Sequence, residues 1–256
     1  MNRFHLLLFL LISVQCLYAQ KATTDSILKP FKISERYLSG LDIPKVTLKA
    51  HPERAYFQKR IYKGSDLSIF ILSSETATNT IANFPIDEFV YYLKGKAEIT
   101  TKNDQKITFL SGDYICVPKG FSGTWINNGG NTYHLELSVI SNKRAAKETI
   151  STPNIPFLLN RELLSGIENS SKETSLFSGV ELNMKTVSEK AGLKEISKTN
   201  TDQFIHVLDG IVTIIPKNGA SETYLRGDFF ILPKGFSGSW KTEAQDTFRM
   251  LLVTSK

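Results

Sequence analysis

Residues 87–125 can be laid on residues 202–240 at a constant offset of 115 without a gap, and 18 of the 39 paired positions are identical. The longest shared string is Pro118-Lys119-Gly120-Phe121-Ser122-Gly123, which returns as Pro233-Lys234-Gly235-Phe236-Ser237-Gly238. Chance does not produce such a match, so the chain contains a duplicated domain and must adopt its fold twice. The period is too long for a solenoid, and two copies are too few for one. A shorter echo, Leu38-Ser39-Gly40 against Leu164-Ser165-Gly166, puts the boundary between copies near residues 141–156. There Ser141-Asn142-Lys143-Arg144 and Pro153-Asn154-Ile155-Pro156 read as a linker.

Within each copy the periodicity is that of strands. Phe89-Val90-Tyr91-Tyr92-Leu93 is β-branched and aromatic, breaks at Lys94-Gly95, resumes as Ala97-Glu98-Ile99-Thr100-Thr101 and turns at Lys102-Asn103-Asp104. Phe204-Ile205-His206-Val207-Leu208, Asp209-Gly210, Val212-Thr213-Ile214-Ile215 and Lys217-Asn218-Gly219 repeat the scheme. Short strands with Gly and Asn turns at this spacing predict an antiparallel sandwich or barrel, and the duplication makes it two barrels. Helix is scarce, and residues 33–38 and 156–164 are the best short candidates. The 41 % hydrophobic and 22 % charged fractions over 256 residues exclude a disordered or collagenous chain.

Arg3 followed by the apolar stretch 4–14 and a small residue at Ala19 reads as a secretory signal peptide. Cleavage after Ala19 leaves Cys116 as the sole cysteine, so an exported chain would hold its core without an internal disulfide. Cys116 lies in the strand-like run Tyr114-Ile115-Cys116-Val117 and reads as a small buried hydrophobe. The net charge of +6 is spread along the chain with no basic run, which is a solvated surface and not a nucleic-acid footprint. No later apolar run approaches the roughly 20 residues of a membrane span.

Glu88 and Gly95 on one strand pair, then Gly112-Asp113 and Pro118-Lys119-Gly120, resemble the two sequence motifs of the cupins. The ending Gly-Phe-Ser-Gly-x-Trp at 120–125 and 235–240 looks like the branch named for (S)-ureidoglycine aminohydrolase. The resemblance covers about residues 60–140 and 175–253 and implies two small jelly-roll barrels, a bicupin. Metal-binding cupins carry a His-x-His shortly before the glutamate and a further His after Pro-x-Gly. Here those places hold Ala82 and Phe84, or Ile81 and Asn83, and then Gly123. In the second copy Gln203 replaces the glutamate, residues 196–199 lack histidine, and the last place is Gly238. The resemblance therefore implies neither the family's metal set nor another cofactor in either barrel.

If Glu88 keeps the inward orientation of the family's glutamate, Val90 and Tyr92 point inward with it. A carboxyl group beside an aromatic wall has a raised pKa and can act as acid or base; the other reading is a glutamate bonded to barrel backbone or a lysine. Gln203, in phase with Ile205 and Val207, offers donor and acceptor without charge. His206 falls out of phase with Gln203 and faces outward, toward surface or interface. Trp125 and Trp240 either stack on a flat ligand at the barrel mouths or lie as lids on the core. His134 and Glu136 share one strand face opposite Tyr133, Leu135 and Leu137, and the apolar face has the better claim to the interior.

The domain plan is a signal peptide at 1–19, an N-terminal arm at 20–60, a first cupin domain at 61–145, a linker with a short helix at 146–174 and a second cupin domain at 175–256. The sequence reads as an exported, secreted or periplasmic, metal-free bicupin without a cofactor. It binds a small polar ligand through Glu88, Tyr92, Trp125, Gln203 and Trp240 or serves a structural role in the envelope. The alternative is an enzyme resembling (S)-ureidoglycine aminohydrolase, with Glu88 as acid/base on a ureide or related C–N substrate. Partners are a small molecule and a possible second copy as a homodimer, with no nucleic acid and no membrane span after cleavage.

Overall fold

The computed structural model describes residues 28–159, 164 and 172–256. The signal-peptide segment 1–19 and residues 160–163 of the predicted short helix lie outside the described residues. After a short strand β1 (Phe31–Lys32) and a helical turn α1 (Glu35–Leu38), the first copy runs β2 (Tyr56–Lys63), β3 (Leu67–Ser74), β4 (Ala77–Ile81), β5 (Glu88–Lys94), β6 (Lys96–Thr101), β7 (Lys106–Leu110), β8 (Tyr114–Val117), β9 (Gly123–Asn128) and β10 (His134–Ser141). The second runs β11 (Phe157–Leu158), β12 (Lys172–Ser178), β13 (Leu182–Ile196), β14 (Gln203–Asp209), β15 (Ile211–Pro216), β16 (Glu222–Leu225), β17 (Phe229–Leu232) and β18 (Gly238–Ser255). The helix expected over 33–38 is present as α1, capped by Ser34. Phe157 and Leu158 form a strand where a helix was expected, because their backbone pairs with Cys116 and Ile115.

Barrel one sets the sheet β11-β8-β5-β10-β3-β2 against the sheet β4-β9-β6-β7. Its core joins Phe70, Leu72, Val90 and Tyr92 of the first to Ala97, Ile99, Phe109 and Trp125 of the second. Barrel two curls one eight-stranded sheet around Ile205, Val207, Val212, Ile214, Phe230, Phe236, Trp240 and Phe248. Both are jelly-roll barrels, as the duplicated strand pattern predicts. The shared Pro-Lys-Gly-Phe-Ser-Gly turn needs its first glycine: φ is +97° at Gly120 and +87° at Gly235, where a side chain is strained.

The copies differ at one rim. Strands β13 and β18 of barrel two pair continuously from Lys185–Leu252 through Lys190–Thr247 and on to Ile196–Gly238, with one register shift between Lys190 and Gly192. Barrel one breaks the corresponding path into β3 and β4 and into β9 and β10, leaving residues 75–76 and 129–133 outside strands. A depression of about 400 Å³ lies there, lined by Glu75, Thr76, Gly130, Asn131, Thr132 and Tyr133.

The barrels pack back to back. A third apolar cluster joins Ile69, Phe89, Cys116, Leu137 and Val139 of barrel one to Met184, Phe204, Ile231, Leu251 and Val253 of barrel two. Phe89 meets Phe204 with ring centroids 5.5 Å apart. Strands at this seam are buried on both faces, so β17, Phe-Phe-Ile-Leu, reads as an unbroken apolar run. The arms cross over: β1 joins β17 of barrel two, whereas β11 joins β8 of barrel one. Ile33 N–H donates to the Phe229 carbonyl and Leu159 N–H to the Tyr114 carbonyl, both at 2.9 Å. Ile33 and Leu159 are 126 apart, the offset of the Leu-Ser-Gly echo, which places the arm within the duplicated unit.

Candidate functional site

The interior of barrel one is polar at one end. Glu88, Val90 and Tyr92 project from β5 to the same side, the expected parity. Strand β10 lies beside them in the register Ile140–Glu88, Ser138–Val90 and Glu136–Tyr92. Ile140 belongs to the barrel core, whereas Leu135, Leu137 and Val139 belong to the seam. His134, Glu136 and Ser138 therefore face into the barrel. This corrects the expectation that the apolar face of β10 takes the interior. A second barrel competes for that face, and burying Leu135, Leu137 and Val139 against it removes more apolar surface from water than burying the His-Glu face would.

Ser138 Oγ donates a short hydrogen bond to Glu88 Oε1. The His134 ring stacks on Tyr92, centroids 5.9 Å apart, and its Nδ1 lies 2.9 Å from Ser74 Oγ and 3.1 Å from the Ser74 carbonyl. His134 Nε2 points at Glu136, 3.7 Å from Oε2, beyond hydrogen-bond reach. That nitrogen and the Tyr56 hydroxyl are buried without a hydrogen-bond partner. Glu88 is 8 % exposed and the Glu136 side chain 14 %. Depletion of solvent raises both carboxyl pKa values, to about 7 for Glu88, against the pull of the Ser138 bond, and to about 8 for Glu136, which Glu88 also repels. Burial lowers His134 to about 4, so the imidazole is neutral at pH 7.

The other predicted residues are held by the protein itself. Tyr92 Oη and Trp125 Nε1 both donate to Asn127 Oδ1 at 2.7 Å. Trp125 is 8 % and Trp240 2 % exposed, and Trp240 Nε1 donates to Glu189 Oε1 at 2.6 Å. Gln203 is half-buried, on the same side of β14 as Ile205 and Val207. His206 faces out of its barrel into the seam, where it stacks on Phe229 at 3.9 Å and its Nδ1 lies 3.1 Å from Tyr114 Oη. Cys116 is fully buried in the seam, and burial pushes its thiol pKa well up. Beside His206 a cleft of about 780 Å³ opens between the barrels, lined by Tyr91, Tyr114, Asp209, Arg226 and Arg249.

Among the described residues barrel two shows no counterpart of the pair His134 and Glu136. At offset 115 the partners of His134 and Glu136 would be Arg249 and Leu251. The ladders give a different answer: Thr254 lies opposite Gln203 and Met250 opposite Val207, as Ile140 lies opposite Glu88 and Glu136 opposite Tyr92. The offset on the last strand is thus 114, and the lost residue falls at the rim where barrel one is interrupted. A one-residue slip moves every side chain to the other face, so Phe248, Met250 and Leu252 fill barrel two where His134, Glu136 and Ser138 stand in barrel one. Tyr56, Ser74, Ser138 and Asn127 were not foreseen, since no local pattern marks which strands border the pair.

As a metal centre the cluster does not fit. Among the described residues no three His, Cys, Asp or Glu side chains are placed to hold an ion. One Glu88 oxygen is taken by Ser138 and His134 Nδ1 by Ser74.

The profile of the EutQ-like cupin domain matches residues 70–128 and 183–249, one segment in each barrel. No curated protein matches the chain. A cupin 2 conserved barrel domain protein from Leptotrichia buccalis superposes with a TM-score of 0.60 at 20 % identity, covering 91 % of this chain and 99 % of that one. Protein Ylba from E. coli does so at 0.58 and 12 % identity, covering 93 % and 95 %. Salicylate 1,2-dioxygenase from Pseudoaminobacter salicylatoxidans, solved as adducts with gentisate, gives 0.58 at 12 % identity over 92 % and 83 %. At these identities the likeness is one of fold.

Proposed function

We propose, from the premise that the chain is two tandem cupin domains, that barrel one is a chamber for a small polar ligand and barrel two its apolar scaffold. The observation that carries this reading is the pair Glu88 and Glu136 turned into barrel one, with the uncharged Gln203 and Met250 in the matching places of barrel two. An interior that has only to hold the fold together is better filled by well-packed apolar side chains than by buried carboxyl groups. The interrupted rim of barrel one supports the same reading, because its depression borders Ser74 and His134 through their neighbours Glu75 and Tyr133. Glu88 takes the ligand-facing role, Glu136 and His134 line the chamber, and Tyr92 and Trp125 form its wall through Asn127. The signal-like segment 1–19 supports export, and with it a ligand met in the envelope or outside the cell.

A second reading has the same pair in its favour. A carboxyl group part-protonated near neutrality can give and take a proton, which hydrolysis of a ureide or related C–N substrate asks of Glu88. Thermal-shift screening of the full chain against small polar molecules, with Glu88→Gln beside it, tests the first reading, since a native-state binder raises the midpoint by mass action. Hits lost in the variant support a chamber around Glu88. Ammonia release from a ureide by the native chain, abolished in Glu88→Gln, selects the enzyme instead.

A further inference from the structure

Elsewhere in this protein, buried acids are matched. Glu181 has Lys119 Nζ at 3.6 Å and Arg144 Nη1 at 3.7 Å; Asp66 has Lys143 at 3.1 Å and Lys234 at 3.5 Å. Asp87 and Asp202 accept backbone N–H groups on both oxygens. Glu88 and Glu136 break this rule. Among the described residues neither forms an ion pair with Lys or Arg, and the polar groups beside them are Ser138, the neutral His134, the Tyr56 hydroxyl and each other. Arg54, at the rim, is held instead by Asn79 Oδ1 at 2.9 Å and the Thr78 carbonyl.

We propose that barrel one is built for a small cation bearing N–H donors, an ammonium, amidinium or guanidinium group, which supplies the counter-charge that Glu88 and Glu136 lack. The inference rests on barrel one being a ligand chamber. Two carboxyl groups and the unpartnered Tyr56 hydroxyl offer acceptors to several N–H donors at once. Tyr56 lies within electrostatic range of both carboxyl groups and Tyr92 within range of Glu136, and aromatic rings attract a cation. An anion would meet repulsion from both glutamates and from Glu75 at the rim. A cation binds the ionised carboxylates, so a fraction of a proton leaves each part-protonated glutamate for solvent as the complex forms, and the charge balances.

Isothermal titration of the full chain near neutral pH with methylguanidinium, urea as its neutral counterpart, and acetate tests this. The expected result is saturable methylguanidinium binding with proton release, read as a heat that varies with the ionisation enthalpy of the buffer. Glu88→Gln and Glu136→Gln should each weaken it roughly 10- to 100-fold, the worth of a hydrogen bond to a charged group. If a Gln variant fails to fold, Tyr56→Phe, which removes one hydroxyl, reads the same chamber by weakened binding. Urea or acetate binding as tightly as methylguanidinium, and weakened by the same substitutions, overturns the cation and leaves the chamber. No binding by any of the three, or binding indifferent to all the substitutions, overturns both.

Discussion

Asp87 and Asp202, 115 residues apart, each clasp the opposite barrel. Asp87 Oδ2 accepts from the N–H groups of Glu181 and Leu182 at 2.7 and 3.3 Å, and Asp202 Oδ2 from those of Asp66 and Leu67 at 2.6 and 3.1 Å. The other oxygens accept from Lys119 N–H and Lys234 N–H at 2.9 and 2.8 Å, in the turns of their own barrels. The repeat begins on these aspartates, so the duplicated unit carries its own means of pairing. Gly64 and Gly179, also 115 apart, lie against the clasps: a Cβ on Gly64 would collide with Asp202 Oδ2, and one on Gly179 with Asp87 Oδ2.

Asp202→Ala therefore leaves buried N–H groups without acceptors and is expected to cost on the order of 3 kcal/mol, as is Asp87→Ala. Gly64→Ala should lower stability by about 1–3 kcal/mol, because the clasp must shift to admit a methyl group. Urea unfolding reads all three, and a midpoint for Asp202→Ala within error of the native value refutes the clasp.

Stability should fall as pH rises from about 6.5 to 8. Glu88 and Glu136 have folded-state pKa values of about 7 and 8, above the ordinary value of 4.5. The native state thus holds protons that the unfolded chain has shed, and their contribution is full below about pH 4.5 and lost as pH climbs through the folded values. His134 and His206, lowered to about 4, act oppositely between 6.5 and 4 and offset the glutamates there. Glu136→Gln should be more stable than the native chain at pH 8.5 by about 1–3 kcal/mol, with the gap closing toward pH 6. Thermal unfolding across this range decides it, and parallel curves for the two proteins contradict the buried carboxyl.

The imidazoles of His134 and His206 should stay neutral at pH 5.5, because burial lowers both to about 4. Nitrogen-15 chemical shifts of the rings give the answer directly. Titration of His134 near 6.5 would mean that water reaches the chamber freely.

Asn127→Leu is expected to destabilise the chain by about 1–3 kcal/mol, since Asn127 Oδ1 accepts from both Tyr92 and Trp125. Calorimetry measures the loss, and tryptophan emission should change with it. The matching Trp240–Glu189 bond lies in barrel two and should be untouched.

Protein purified without a tag is expected to carry no stoichiometric manganese, zinc or iron, since the chamber's donors do not converge. Elemental analysis beside Glu88→Ala tests it. Metal present at one per chain and lost in the variant would mean that Glu88, Glu136 and His134 rearrange around an ion.

The repeat at offset 115 determined the number of barrels, and the strand and turn signals within it determined their class. The inward face of β5 was legible from Glu88, Val90 and Tyr92, because side chains alternate along any strand. The Leu-Ser-Gly echo marked an arm belonging to each copy, though not that each arm crosses to the other barrel. What the sequence could not decide was which face of β10 goes inside. His134-Leu135-Glu136-Leu137 alternates cleanly, and alternation says only that the two faces differ. In a lone barrel the leucines would turn inward. Here barrel two offers them a larger apolar partner at the seam, and His134 and Glu136 are left to the interior. Nor did the ungapped alignment, which ends at Trp240, reveal the single residue missing between Trp240 and Phe248 within β18, which swaps polar for apolar inside barrel two. Both outcomes depend on contacts between segments far apart in the chain, and local periodicity holds no record of what a face will meet.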